Sequence, residues 1–175
     1  MVDIDATAAQ KVLINLIEKN PKDSVKTKIG SMIQSYEEYR RDLSVTEKQT
    51  LQSTLSDLKS SNSNIRRKAV NIIGKFKHVS VVEFLHIALK DEDGIVRTTV
   101  AEALGKFGDN RSALPLIEML ENDSYSHARA AAARALGQCA TIGDERVIDV
   151  LLKGHNDKYS AVRKWCSRSV KQLRR

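Results

Sequence analysis

Aromatic side chains are scarce in this chain: three Phe, four Tyr and one Trp, 5% of 175 residues. A large aromatic-lined cofactor pocket is hard to build from so few, and no cofactor is expected. There are two prolines and two cysteines. Cys139 and Cys166 fall inside periodic apolar stretches, where they read as small core side chains of a reducing compartment. No apolar run approaches the roughly 18 residues of a membrane span. The first residues, Met1-Val2-Asp3-Ile4-Asp5, lack the basic and apolar regions of a signal peptide. These absences lead us to expect a soluble, cytoplasmic protein that does not enter a membrane. Catalytic patterns are also missing. His78, His86, His127 and His155 share no i,i+4 spacing suited to a metal, and no metal ligands are assigned. Gly74, Gly105 and Gly137 are isolated, so there is no glycine-rich phosphate loop, and the sequence assigns no catalytic residue.

What is abundant is Ala, Leu, Lys and Glu, which favour helix. The net charge is +7, and it is unevenly spread. Leu58–Val82 holds six Lys/Arg and no carboxylate, and Ala161–Arg175 again holds six and none. Such an excess raises nucleic acid, a membrane surface or an acidic protein as partners.

The strongest signal is a repeat. Arg66, Arg97, Arg129 and Arg163 recur at intervals of 31, 32 and 34 residues. Each follows a small or branched apolar residue: Ile65, Val96, Ala128, Val162. Glycine stands eight residues after the first three (Gly74, Gly105, Gly137), and aspartate six residues before the last three (Asp91, Asp123, Asp157). A period of this length means one supersecondary unit stacked on copies of itself. Apolar spacing predicts helices near 46–59 and 64–77, then 81–90 and 94–107, 113–121 and 126–139, and 146–153 and 160–173. Ser44-Val45-Thr46-Glu47 has the form of a capping box. Ahead of it, Ala8–Ile17 and the stripe Val25, Ile29, Ile33, Tyr36 predict two further helices. Residues 1–45 are therefore expected to form a degenerate N-terminal cap. Repeats at about 46–78, 79–110, 111–144 and 145–175 would make one continuous domain.

The segments "DEDGIVRTTVAEALGKFGDNRSALPLIEML" and "DSYSHARAAAARALGQCATIGDERVIDVLL" resemble HEAT-like repeats, in particular the short type named after phycobilisome lyases. The resemblance covers residues from about 51 to the end. It implies an all-α fold, a right-handed α-α superhelix (α-solenoid) of about four to five helical hairpins. Ser60 and Lys171 stand where the pattern wants Asp and Gly, as boundary repeats allow.

At about 100° per residue, the apolar positions around each repeated Arg span an arc of roughly 240–340°, with the Arg at its edge. A charge there needs a partner. The aspartate six residues earlier is the expected one, and the resemblance implies that Asp and Arg bridge successive units as a structural ladder: Arg66, Arg97, Arg129 and Arg163 with Asp91, Asp123 and Asp157. The positions one, five and nine after each Arg point away from the core. Six of these twelve are basic (Arg67, Lys75, Lys106, Arg134, Lys164, Arg168), where about two would be expected from 29 Lys/Arg in 175 residues. Trp165 flanks this stripe. In the resembling folds the inner helices line a concave surface. The sequence reading is therefore a non-enzymatic interaction scaffold whose basic groove binds an acidic protein partner. A nucleic-acid-binding HEAT-like protein, or a bilin lyase or phycobilisome-associated protein, are the alternatives that the resemblance suggests. Some HEAT-repeat enzymes hold a di-iron centre with His-Glu dipeptides; here Val79, Ile87, Ala128 and Asn156 follow the histidines.

Overall fold

The computed structural model describes residues 30, 31, 33–36, 38, 41, 43–76 and 78–175. The expected helix at Ala8–Ile17 and the first part of the next lie outside the described residues. Gly30, Ser31, Ile33–Tyr36, Glu38 and Arg41 are helical, with Tyr36 buried. All regular structure among the described residues is helical. The chain falls into two compact units, one up to Ala69 and one from Val70 on.

In the first unit, α1 (Val45–Asp57) opens on the capping box. The Ser44 amide donates to Glu47 Oε2 (3.0 Å) and the Glu47 amide to Ser44 Oγ (3.3 Å), so two otherwise unpaired donors are satisfied. Leu51, Leu55 and Thr54 form its buried stripe. The next helix, α2 (Ser63–Ile73), crosses the boundary between units and stops four residues before the sequence predicts. Beyond it the amides of Lys75 and Phe76 bond three residues back, to Ile72 and Ile73, tightening the last turn.

The second unit repeats one motif. An outer helix, α3 (Val79–Ala88), α5 (Ala113–Asn122) or α7 (Glu145–Lys153), packs on the inner helix that follows it, α4 (Gly94–Phe107), α6 (Ser126–Cys139) or α8 (Ser160–Leu173). The inner helices also pack on one another, α4 on α6 and α6 on α8, and these are the most extensive contacts of the unit. Val96, Val100, Leu104, Ala132, Leu136, Val162 and Cys166 form the core along this layer, each at most 1% exposed. Gly108 and Gly143 carry the chain from inner to outer helices at φ +73° and +78°, a left-handed conformation that glycine adopts without strain. Asp109 and Asp144 follow them and cap the next helical segment through the amides of Arg111 and Val147.

The glycine of the repeat has a packing role. A Cβ on Gly105 would lie 2.9 Å from Ala135 Cα, and one on Gly137 would lie 2.8 Å from Ser169 Cβ. The inner helices meet nearly backbone to backbone at these points. Small residues on α6 permit this on both of its sides, and Ala128, Ala130–Ala133 and Ala135 are all buried. Ser169 adds a seam bond, its hydroxyl donating to the Ala133 carbonyl at 2.7 Å.

Candidate functional site

The repeated arginines are built into the seams. Arg97 Nη1 donates to the carbonyls of Asp91 (2.7 Å) and Glu92 (3.0 Å), which anchors it to the turn ahead of its own helix. Its Nε and Nη2 each donate at 2.7 Å to the carboxylate of Asp123, one unit further on. Arg129 repeats the arrangement, with Nη1 on the carbonyls of Asp123 and Ser124 and with Nε (2.7 Å) and Nη2 (3.1 Å) on the Asp157 carboxylate. The residue six positions earlier thus contributes its backbone carbonyl, and the carboxylate comes from the following unit. Sequence distance favoured the nearer aspartate; the geometry assigns that carboxylate elsewhere. Each aspartate also accepts the amide two residues on, Asp123 from Tyr125 and Asp157 from Tyr159, both at 2.8 Å. One carboxylate therefore shapes the entry to its own inner helix and receives the previous unit's arginine. That Asp-x-helix-start pattern was a readable signal of the aspartate's position. Arg66 is buried and donates to the carbonyls of Ser60 and Ser61.

These pairs are sheltered. Arg97 and Asp123 side chains are 15% and 5% exposed, Arg129 and Asp157 10% and 13%. Burial works to raise the Asp123 carboxyl, but the Arg97 hydrogen bonds, the Tyr125 amide and the charges of Arg97 and Arg129 outweigh it and hold it below the usual carboxylate range. At Asp157 the Arg129 hydrogen bonds lower the carboxyl against an opposing effect of burial. A carboxyl lowered in the folded state contributes stability that is fully present above its unfolded value of about 3.9 and disappears as pH falls through the folded value. Thermal midpoints are therefore expected to drop steeply below about pH 4, and Asp157→Asn to flatten that drop. Parallel midpoint-versus-pH curves for wild type and variant would contradict the assignment.

Outside the seams lies the exposed face of the inner-helix layer. Lys106, Gln138, Lys164, Arg168 and Gln172 are exposed there, and Lys75 is exposed just past the end of α2. Arg67 is exposed on α2 in the first unit. Ala130, placed outward by the helical periodicity, is instead 7% exposed, because α8 packs over it. The distinctive feature is Trp165. Two guanidinium groups lie over its ring, Arg134 from α6 at 5.3 Å and Arg168 from its own helix at 5.1 Å from the centroid. Two cation–π contacts to one ring gather two cations and an aromatic side chain in one place. One carboxylate approaches, Glu102 at 3.4 Å from Arg134 Nη2, itself 40% exposed and so a weak competitor. Arg134 Nε is buried without a hydrogen-bond partner. Tyr159 is the second stacked aromatic, with Arg129 at 5.5 Å and Lys158 at 5.1 Å.

One polar group was missed by sequence reasoning. His86 Nε2 lies 2.9 Å from Ser112 Oγ, and its Nδ1 lies 3.3 Å from Glu83 Oε2. The order of groups is that of an activated hydroxyl, but Ser112 is 0% exposed, so no substrate reaches its oxygen. The trio joins α3 to the start of α5. An open cleft of about 380 Å³ beside it is lined by His86, Pro115, Glu118 and Asn122, with the Arg97–Asp123 pair at its wall. Burial pushes the thiols of Cys139 and Cys166 up to about 11, which leaves both unreactive at neutral pH. Among the described residues, no group of three or more His, Cys, Asp or Glu side chains is arranged to hold a metal ion, and no helix is long and apolar enough to cross a membrane.

Comparison with known proteins bears on this geometry. A family model described as HEAT repeats matches residues 51–137, and one described as PBS lyase HEAT-like repeat matches residues 128–154. No curated protein matches the chain. Among solved structures it is similar to human deoxyhypusine hydroxylase in complex with glycerol (21% identity, TM-score 0.60, 71% of this chain and 43% of that one). It is similar also to the complex of CpcE and CpcF of phycocyanin lyase from Nostoc sp. (20%, 0.61, 95% and 65%) and to an engineered protein (18%, 0.56, 98% and 86%). At these identities the likeness is one of fold. The chain spans less than two thirds of the length of the first two.

Proposed function

The chain belongs to the HEAT-like repeat proteins, and from that premise we propose that it is a non-enzymatic interaction scaffold binding an acidic segment of a partner protein. The binding surface in this reading is the basic exposed face of the inner helices, with Lys106, Arg134, Lys164 and Arg168 supplying charge and Trp165 the anchor. The observation that carries it is the Arg134–Trp165–Arg168 stack, two cations held ready on one ring beside a single, half-exposed carboxylate. Preorganised arginine and tryptophan are the residue types that concentrate binding energy at interfaces. The similarity to a solved two-protein complex supports a protein as the partner.

A pull-down from the source organism tests this directly. Wild type is expected to retain a partner that elutes as salt screens the contact, over about 0.15–0.5 M. A Lys106→Glu, Arg134→Gln, Arg168→Glu variant with an unchanged circular-dichroism melt is expected to retain none. Equal retention by that variant would contradict the reading.

A further inference from the structure

The guanidinium groups of α4, α6 and α8 are held alike on one edge and differ on the other. Arg163 Nη1 donates to the carbonyls of Asp157 (2.7 Å) and Lys158 (2.9 Å), as Arg97 and Arg129 do at their own turns. This contact sets the side chain in place. At Arg97 and Arg129 the opposite edge grips an aspartate of the next unit through Nε and Nη2. At Arg163 that edge meets no carboxylate among the described residues, and the residue is exposed. It is a bidentate fork shaped like two filled ones.

The surface around the fork is the counterpart of a buried seam. Ala130, Ala133 and Gly137 of α6 are covered by α8. The residues 34 positions later, Lys164, Ser167 and Lys171, face the same way from α8, and none of them is buried. Arg174, also exposed, caps the C-terminal end of α8, and residues 161–175 contain no carboxylate. We propose that this face of α8 is a second binding surface, which takes an acidic polypeptide segment with one Asp or Glu carboxylate seated in the Arg163 fork. Lys164, Lys171 and Arg174 receive its neighbouring carboxylates. An extended segment fits better than another stacked helix, because Lys171 stands where Gly105 and Gly137 admit a neighbouring backbone. A second copy of the chain through the same face is disfavoured, since two such faces carry the same charge. Lys164 borders the Trp165 face as well, but Arg163 and Lys171 take no part in that reading, so the two are told apart at Arg163 on one side and at Arg134 and Arg168 on the other.

The test is a titration of the ¹⁵N-labelled full chain with a hexa-aspartate peptide at low salt, following the arginine Nε–H resonances, with Arg163 assigned by its disappearance in Arg163→Lys. The expected result is a saturable shift of Arg163. Arg163→Lys keeps the charge but loses the fork, and is expected to weaken the response of the Lys171 amide at least about tenfold. Lys171→Glu, which leaves the fork intact, is expected to weaken the Arg163 shift likewise. A stationary Arg163 while Arg134 and Arg168 move would overturn the Arg163 proposal and leave the Trp165 reading in place; the reverse pattern would do the opposite. Unchanged affinity in Arg163→Lys, or an Arg163 response to duplex DNA and none to the peptide, would also overturn it.

Discussion

Arg97→Ala is expected to lower the thermal midpoint by on the order of 10 °C. The substitution removes the bidentate guanidinium from Asp123, whose side chain is 5% exposed, and leaves a sheltered carboxylate with the Tyr125 amide but without its paired cation. It also strips donors from the carbonyls of Asp91 and Glu92. Breaking one side of a buried pair costs about 3–5 kcal/mol, and a chain of this size loses about 2–4 °C per kcal/mol. Arg163→Ala is the internal control. It removes the same two carbonyl contacts but strands no carboxylate, and the site is exposed, so its effect should stay near 1 kcal/mol. Equal losses at the two positions would mean that the carboxylate is not what makes Arg97 matter.

The second large effect is expected at the glycines. Alanine is preferred over glycine inside a helix by about 1 kcal/mol, so Gly105→Ala would be stabilising if helix propensity decided the outcome. It does not, because the new Cβ would sit 2.9 Å from Ala135 Cα and 3.0 Å from its Cβ, against a helix backbone that cannot rotate away. At Gly137 the new carbon would meet the Ser169 side chain and displace the hydroxyl that holds the Ala133 carbonyl. Overpacking of this kind costs about 1–3 kcal/mol net with alanine, and more with valine. Gly74→Ala, whose nearest neighbour is Ala103 Cβ at 3.3 Å, should cost clearly less. Urea midpoints for the three alanine variants decide this. A stabilised Gly105→Ala would show that α4 and α6 are not in backbone contact.

The repeat was legible because packing imposes it. A stacked helix pair needs a small residue at each close approach and a sheltered cation at each seam, so Gly105, Gly137, Arg97 and Arg129 recur in register, and α4, α6 and α8 run between the residues that the spacing predicts. Pairing was less legible. Asp91 and Asp123 are both compatible with Arg97 in sequence, and the choice depends on the rotation of one hairpin against the next, which periodicity does not encode. The end of α2 was misjudged for a related reason. Gly74 is half-buried, whereas Gly105 and Gly137 are buried, so less packing holds the helix together past a residue that disfavours it. Ala130 was placed on the open face because a helical wheel treats each helix alone; the neighbouring α8 turns that position into seam. Within the binding face, the basic stripe could be counted from sequence. The stacking of Arg134 and Arg168 on Trp165 could not, since Arg134 and Trp165 lie on different helices and meet only through the offset between units.

A double-mutant cycle on Arg129 and Asp157 tests the central claim most directly, that α4 and α6 are each locked to the next unit by one arginine–aspartate fork. The account expects Arg129→Ala and Asp157→Ala each to be strongly destabilising, with the double variant falling short of the sum of the two by a coupling of about 1–3 kcal/mol. Losses that simply add, to within about 0.3 kcal/mol, would show that the two residues act independently. The seam, and with it the unfilled fork at Arg163, would then need another explanation.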